Sequence, residues 1–138
     1  MNSIAFEASS PLTPMVVNTK PPVFSYKRAL RHLAHSDDVQ IKRMIAENRR
    51  TPSSVLRSLV QDKDENVRLG AAENPSLPYS ALLACINDPA ADLRYALAEN
   101  HSLPFSILQL LSQDENPYVA CRAAETLARN IADERSCA

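Results

Sequence analysis

Tryptophan is missing from this chain, and glycine occurs once, at Gly70. So little glycine argues against a sheet rich in tight hairpin turns, which draw on residues that take a left-handed backbone freely. Cysteine is scarce too. Cys85, Cys121 and Cys137 are odd in number and lack metal-ligand spacing, so a reduced, cytoplasmic setting is the simplest expectation. No run of about 18 apolar residues occurs, so no membrane-spanning helix is expected. The N-terminus shows neither the basic stretch nor the apolar block of a secretory signal. What the chain does have is proline, ten in 138 residues, a balance that suits helices punctuated by proline.

The prolines belong to a repeat. The phrase Ala46-Glu47-Asn48 returns as Ala72-Glu73-Asn74 and as Ala98-Glu99-Asn100, at a spacing of 26 residues. A Pro (Pro52, Pro78, Pro104), a Leu (Leu56, Leu82, Leu108) and an Asp (Asp62, Asp88, Asp114) follow at fixed offsets. A period of this size is the mark of a solenoid, a rod of stacked units. The full units are 46–71, 72–97 and 98–123. A degenerate unit precedes them at about 22–45, with Ser36 where the Asp belongs, and Ala124-Glu125-Thr126 opens an incomplete last one. End units depart from the pattern because one side of each faces water. The expected organisation is a disordered or loosely docked tail over 1–22, a repeat domain over 23–132 and a C-terminal tail over 133–138.

Each unit reads as two short helices. In the middle unit the first spans roughly 78–86, with Leu82, Cys85 and Ile86 on one face and Pro78 in the first turn. The second spans roughly 89–98, with Asp88 as N-cap and Pro89 as first helical residue. Asn116-Pro117 gives the same signal two residues later in its unit, and in the first full unit either Asp62 or Asp64 fits the cap. Asn48, Asn74 and Asn100 stand where a helix ends on a residue of positive φ. Their amides are also placed to bond the backbone of a neighbouring unit. Helices this short are marginal alone, so the Leu faces must be buried by stacking. Cys85, at the position of Leu59 and Leu111, reads as a buried apolar residue.

The string from Ala72-Glu73-Asn74 through Pro78, Leu82, Asp88 and Leu93-Arg94 resembles the leucine-rich repeat variant, a family related in shape to HEAT and armadillo repeats. The likeness covers about 22–130. It implies an all-α, right-handed superhelix of about four 26-residue two-helix repeats. The spacing of Asp62 to Arg68 and of Asp88 to Arg94 is similar to the polar ladder between HEAT repeats, and Ala120 stands where the third unit should carry the arginine. The iron–sulfur segment of the family's founding member needs cysteines that this chain lacks before Cys85, so no cofactor is implied.

No catalytic constellation stands out. His32 and His35 are one helical turn apart among Arg28 and Arg31, and read as part of a solvated basic face. Glu47, Glu73 and Glu99 sit beside the structural Asn and read as framework. Recognition in a repeat array belongs to positions that vary between units. Ser53, Tyr79 and Phe105 follow each Pro, and Leu69, Tyr95 and Cys121 vary on the other helix. Tyr79 and Phe105 would stand about 10 Å apart on adjacent units, a ridge for a protein partner, with Tyr95 a third candidate. The alternative is that these aromatics fill gaps between units. Charge supplies a second reading. Residues 27–50 carry Lys27, Arg28, Arg31, Lys42, Arg43, Arg49 and Arg50 against three acids, and residues 51–138 carry seven bases against twelve acids. A basic head on an acidic body suits an anionic partner, nucleic acid included, although that reading is not the favoured one. The expectation is therefore a non-catalytic protein-binding module, with anion binding second and an enzyme on the concave face third. Monomer or weak homo-oligomer through the end units is expected, away from membranes.

Overall fold

The computed structural model describes residues 23–138, and the expectation for 1–22 lies outside them. Eight helices make up the described chain, and no strand occurs among the described residues: α1 (Val23–Leu33), α2 (Val39–Glu47), α3 (Ser53–Leu59), α4 (Glu65–Ala72), α5 (Tyr79–Cys85), α6 (Ala91–Glu99), α7 (Phe105–Leu111) and α8 (Pro117–Ser136). The odd helices α3, α5 and α7 start at residues 53, 79 and 105, and the even helices α4, α6 and α8 at 65, 91 and 117. Both series step by 26 residues, the period of the sequence.

Proline sets each odd helix. Pro52, Pro78 and Pro104 occupy the N-cap with extended backbone, one position before the first turn where Pro78 was expected. Their carbonyls accept the first helical N–H groups, from Val55 and Leu56, Ala81 and Leu82, Ile107 and Leu108. Three of the four even helices, α2, α4 and α8, are capped by side chains. Asp38, Asp64 and Asn116 each accept backbone N–H groups of their own first turn, and Pro117 takes N1. The reading of Asp88 as the N-cap of α6 is corrected. Ala90 stands there without a side-chain bond, and Pro89 is outside the helix. Asp88 sits two residues further back and accepts from Ala90 N at 2.8 Å. Asp88-Pro89 and Asn116-Pro117 are thus two different places in one turn.

The expected left-handed helix stop is also corrected, since no described residue has positive φ. Asn48 and Asn100 end their helices in extended backbone, at φ −76° and −78°. Their Oδ1 atoms, with that of Asn74, accept from the N–H two residues ahead (Arg50, Ser76, Ser102), at 2.9 Å each. Such a side-chain turn reverses the chain without a strained residue. The last even helix shows what that Asn does. Thr126 replaces it, no Pro follows, and α8 runs on for ten more residues to Ser136. Residues 133–136, expected in a tail, are therefore helix.

The even helices pack on one another in sequence, α2 on α4, α4 on α6 and α6 on α8, and α1, α3 and α7 lie against this layer, while α5 joins the core through Ala81, Leu82 and Cys85. Small residues permit the approach. A Cβ placed on Gly70 of α4 would lie 3.3 Å from Ala46 Cβ and from Glu47 Cγ of α2. The core between the two sets is Leu56, Leu59, Val67, Leu93, Leu97, Ile107, Leu108, Leu111 and Val119, each essentially without solvent contact. Cys85 is buried with them, as its register with Leu59 and Leu111 implied. Each buried leucine contributes about 1.5–3 kcal/mol relative to exposure. No helix among the described residues is long and apolar enough to cross a membrane.

Candidate binding surfaces and their frame

A row of ion pairs ties consecutive units together along one edge. Lys42 Nζ donates to Asp62 at 2.7 Å, Arg68 Nε to Asp88 at 2.7 Å and Arg94 Nε to Asp114 at 2.8 Å, each across 20 residues. The two arginines bind bidentately through Nη2 as well. They also reach back through Nη1 to the carbonyls of Asp62 and Asp88, the aspartates of their own units. The second carboxylate oxygen turns the loop by accepting from Asp64 N, Ala90 N and Asn116 N. Bidentate geometry makes the arginine pairs the strong members of the row. Burial pushes the Asp62 and Asp88 carboxyls up, but the bonds from Lys42 and Arg68 and from the loop N–H outweigh it, and both end below the ordinary range. The Arg94 bonds hold Asp114 down, against a smaller effect of burial.

The row stops at both ends. Ser36 takes the aspartate's place before Lys42, and its hydroxyl keeps only the loop bond, accepting from Asp38 N at 3.1 Å. Ala120 takes the arginine's place after Asp114.

This geometry changes the basic cluster. Lys42 is 6% exposed and committed to Asp62, so it is not part of an anion-binding face. Its register with Arg68 and Arg94 decided its place over its basic neighbours in sequence. Arg43 is exposed but donates to Glu47 at 2.8 Å, one turn along α2. Lys27, Arg28 and Arg31 on α1, and Arg49 and Arg50 in the turn after α2, are all exposed. His32, His35 and His101 are exposed as well, and His35 Nδ1 lies 3.0 Å from Arg31 O. Among the described residues no group of three or more His, Cys, Asp or Glu is arranged to hold a metal ion. Of the recurrent glutamates, Glu73 has its carboxyl raised by burial and by the neighbouring charge of Glu47. Glu99 pairs with Arg122 at 3.2 Å.

The aromatics stand where the varying positions placed them. Tyr79 and Phe105 are the first residues of α5 and α7, 47% and 55% exposed. Tyr79 Oη and Ser106 Oγ are 2.9 Å apart, so the tyrosine ring is tied to the following unit by its tip. Tyr95, 37% exposed, is on the even layer. It shares a shallow cleft of about 350 Å³ with Tyr118, which is 77% exposed and was not among the candidates. The signal for Tyr118 was available: it falls where Asn66 and Asp92 fall in the earlier units, a varying position. Met44 and Leu110 are exposed apolar residues also missed by the motif reading.

Comparison with protein-family models, with curated proteins and with solved structures gives no match to this chain.

Proposed function

We propose that this chain is a short right-handed α-solenoid of about four 26-residue units, of the leucine-rich-repeat-variant or HEAT-like kind, and that it serves as a non-catalytic binding module for a protein partner. One observation carries the reading. Tyr79 and Phe105 occupy the same place on consecutive odd helices and are half exposed, while Leu82 and Leu108 behind them are buried. Two fixed aromatics on a rigid frame are good anchors for a protein surface. The ladder carboxylates favour a structural role, because each is held by at least two donors and kept in its charged form. A cytoplasmic setting belongs to the same proposal.

The test is affinity capture from extracts of cells that make the protein, with wild type beside a Tyr79→Ala/Phe105→Ala variant. Circular dichroism confirms that both are folded. A partner held by wild type and lost by the variant is the expected result; a partner held equally by both sinks the proposal. A second reading, an anionic partner on α1 and the turn after α2, is favoured by the exposure of Lys27, Arg28, Arg31, Arg49 and Arg50. It requires binding that falls steeply with salt and that Arg28→Ala/Arg31→Ala removes.

A further inference from the structure

The junctions between successive units are not alike. Where unit 72–97 meets unit 46–71, Asn74 Nδ2 donates to Ala46 O at 2.6 Å and to Asn48 O at 3.0 Å, and Ser76 Oγ donates to Arg49 O at 3.0 Å. Where α8 meets unit 98–123, Thr126 Oγ1 donates to Ala98 O at 2.7 Å and Asn130 Nδ2 to His101 O at 3.0 Å. The middle junction has the same residue types, Asn100 and Ser102, one period after Asn74 and Ser76. Among the described residues neither Asn100 Nδ2 nor Ser102 Oγ has a partner, and the carbonyls that should receive them, of Ala72 and Pro75, accept nothing. A cleft of about 280 Å³ opens there, walled by Leu77, Leu82, Leu103, Pro104 and the Tyr79 ring. The turn that precedes the closed first junction has Thr51 where this one has Leu77, and that threonine is spent on Ile45 O.

We propose that the middle junction is a binding subsite for one residue of an extended peptide with an apolar side chain. The inference rests on the protein-binding reading above and states what the partner presents. The free groups are two donors (an amide and a hydroxyl) beside two carbonyl acceptors, the complement of a peptide unit with its one C=O and one N–H. The walls are apolar on the side away from them. The volume is just under the range of about 300–1,000 Å³ of small-molecule sites, which suits a single side chain with its flanking backbone. The Tyr79 ring forms the rim, so the partner's chain would continue from this cleft onto the Tyr79–Phe105 edge.

The probe is the capped tripeptide acetyl-Ala-Leu-Ala-amide, titrated into the full chain labelled with nitrogen-15. The expected result is saturable shifts centred on the side-chain amide of Asn100 and the backbone N–H of Ser76, Ser102 and Leu103, with that of Arg50 unmoved at the closed junction. Acetyl-Ala-Asp-Ala-amide should bind at least tenfold more weakly. Asn100→Asp keeps an oxygen that accepts from Ser102 N and replaces the donor by a charged acceptor, so the turn is retained and affinity should fall about fivefold or more, at least the size of one lost neutral hydrogen bond. Shifts that are absent, that spread equally over both junctions, or that titrate with unchanged affinity in Asn100→Asp overturn the subsite. The readout needs no cellular partner. A bound tripeptide with no captured protein would sink the proposed function alone, and the reverse outcome would sink the subsite alone.

Discussion

Asp62, Asp88 and Asp114 each turn a loop and hold the cation of the preceding unit, Asp62 with one oxygen for each task and the other two with Oδ1 shared between the loop N–H and the arginine. Removing one therefore strands a cation as well as loosening a turn. Asp114→Ala leaves the Arg94 guanidinium buried beside no carboxylate within 3.5 Å, and should cost about 3 kcal/mol. Asp62→Ala should cost less, since the Lys42 ammonium makes a single bond and sits on a flexible stem. Urea unfolding midpoints of the two variants check the order. The same residues set the acid response. Their folded carboxyls titrate below the unfolded value of about 3.9, so their stabilisation is complete above that value and is lost as pH falls through the folded one. Thermal stability followed from pH 7 to pH 2 should hold to about pH 4 and then drop, and the drop should shrink in Asp114→Ala. The thiols give a second residue-scale outcome. Burial first, and the nearby Asp88 charge second, push Cys85 up to about 11, while Cys121 and Cys137 are exposed. A disulfide reagent at pH 8 should label two thiols in the native protein and the third only on unfolding.

At the scale of the helix, capping separates one element from its equivalents. Asp38, Asp64 and Asn116 cap α2, α4 and α8, whereas Ala90 leaves α6 without a side-chain cap although its backbone angles match theirs. Ala90→Asn should stabilise the protein by about 1 kcal/mol, read as a raised melting temperature; an unchanged or lowered one would mean that the half-buried site cannot take the longer side chain. The helices were largely legible in the sequence because Pro, Leu and Asp recur at fixed offsets, so each odd start and each buried Leu could be placed. The chemistry of the ends was not, because Asp and Asn serve equally as caps and as turn-makers. Asp88 and Asn116 look alike beside a proline and do different jobs two positions apart. Lys42 shows a second limit. In a basic run it reads as one of seven exposed cations, and only comparison with Arg68 and Arg94 one and two periods on reveals a ladder residue. The aromatic candidates were legible because they sit where the frame does not dictate identity, but the open middle junction was not, since Asn100 and Ser102 repeat Asn74 and Ser76 letter for letter.

At the scale of the molecule, stability is carried by contacts between neighbours. α8 packs on both α6 and α7, whose Leu97, Leu108 and Leu111 are buried. A chain ending at residue 116 would expose that leucine surface to water. Loss of the cooperative thermal transition, with aggregation on warming, is the expected outcome by circular dichroism and light scattering; a sharp transition close to that of the full chain would show that the remaining units do not depend on their neighbour.

Ser36 and Ala120, at the two ends of the ion-pair row, also constrain how such a molecule can lengthen. A tandem duplication of residues 72–97 would insert one further Asp88 and one further Arg94, and every cation would still find a carboxylate 20 residues ahead. At the ends of the row the step fails, since Ser36 and Ala120 carry no charge to pair with a residue 20 positions away. Growth from the interior is electrostatically seamless, and growth at the termini is not.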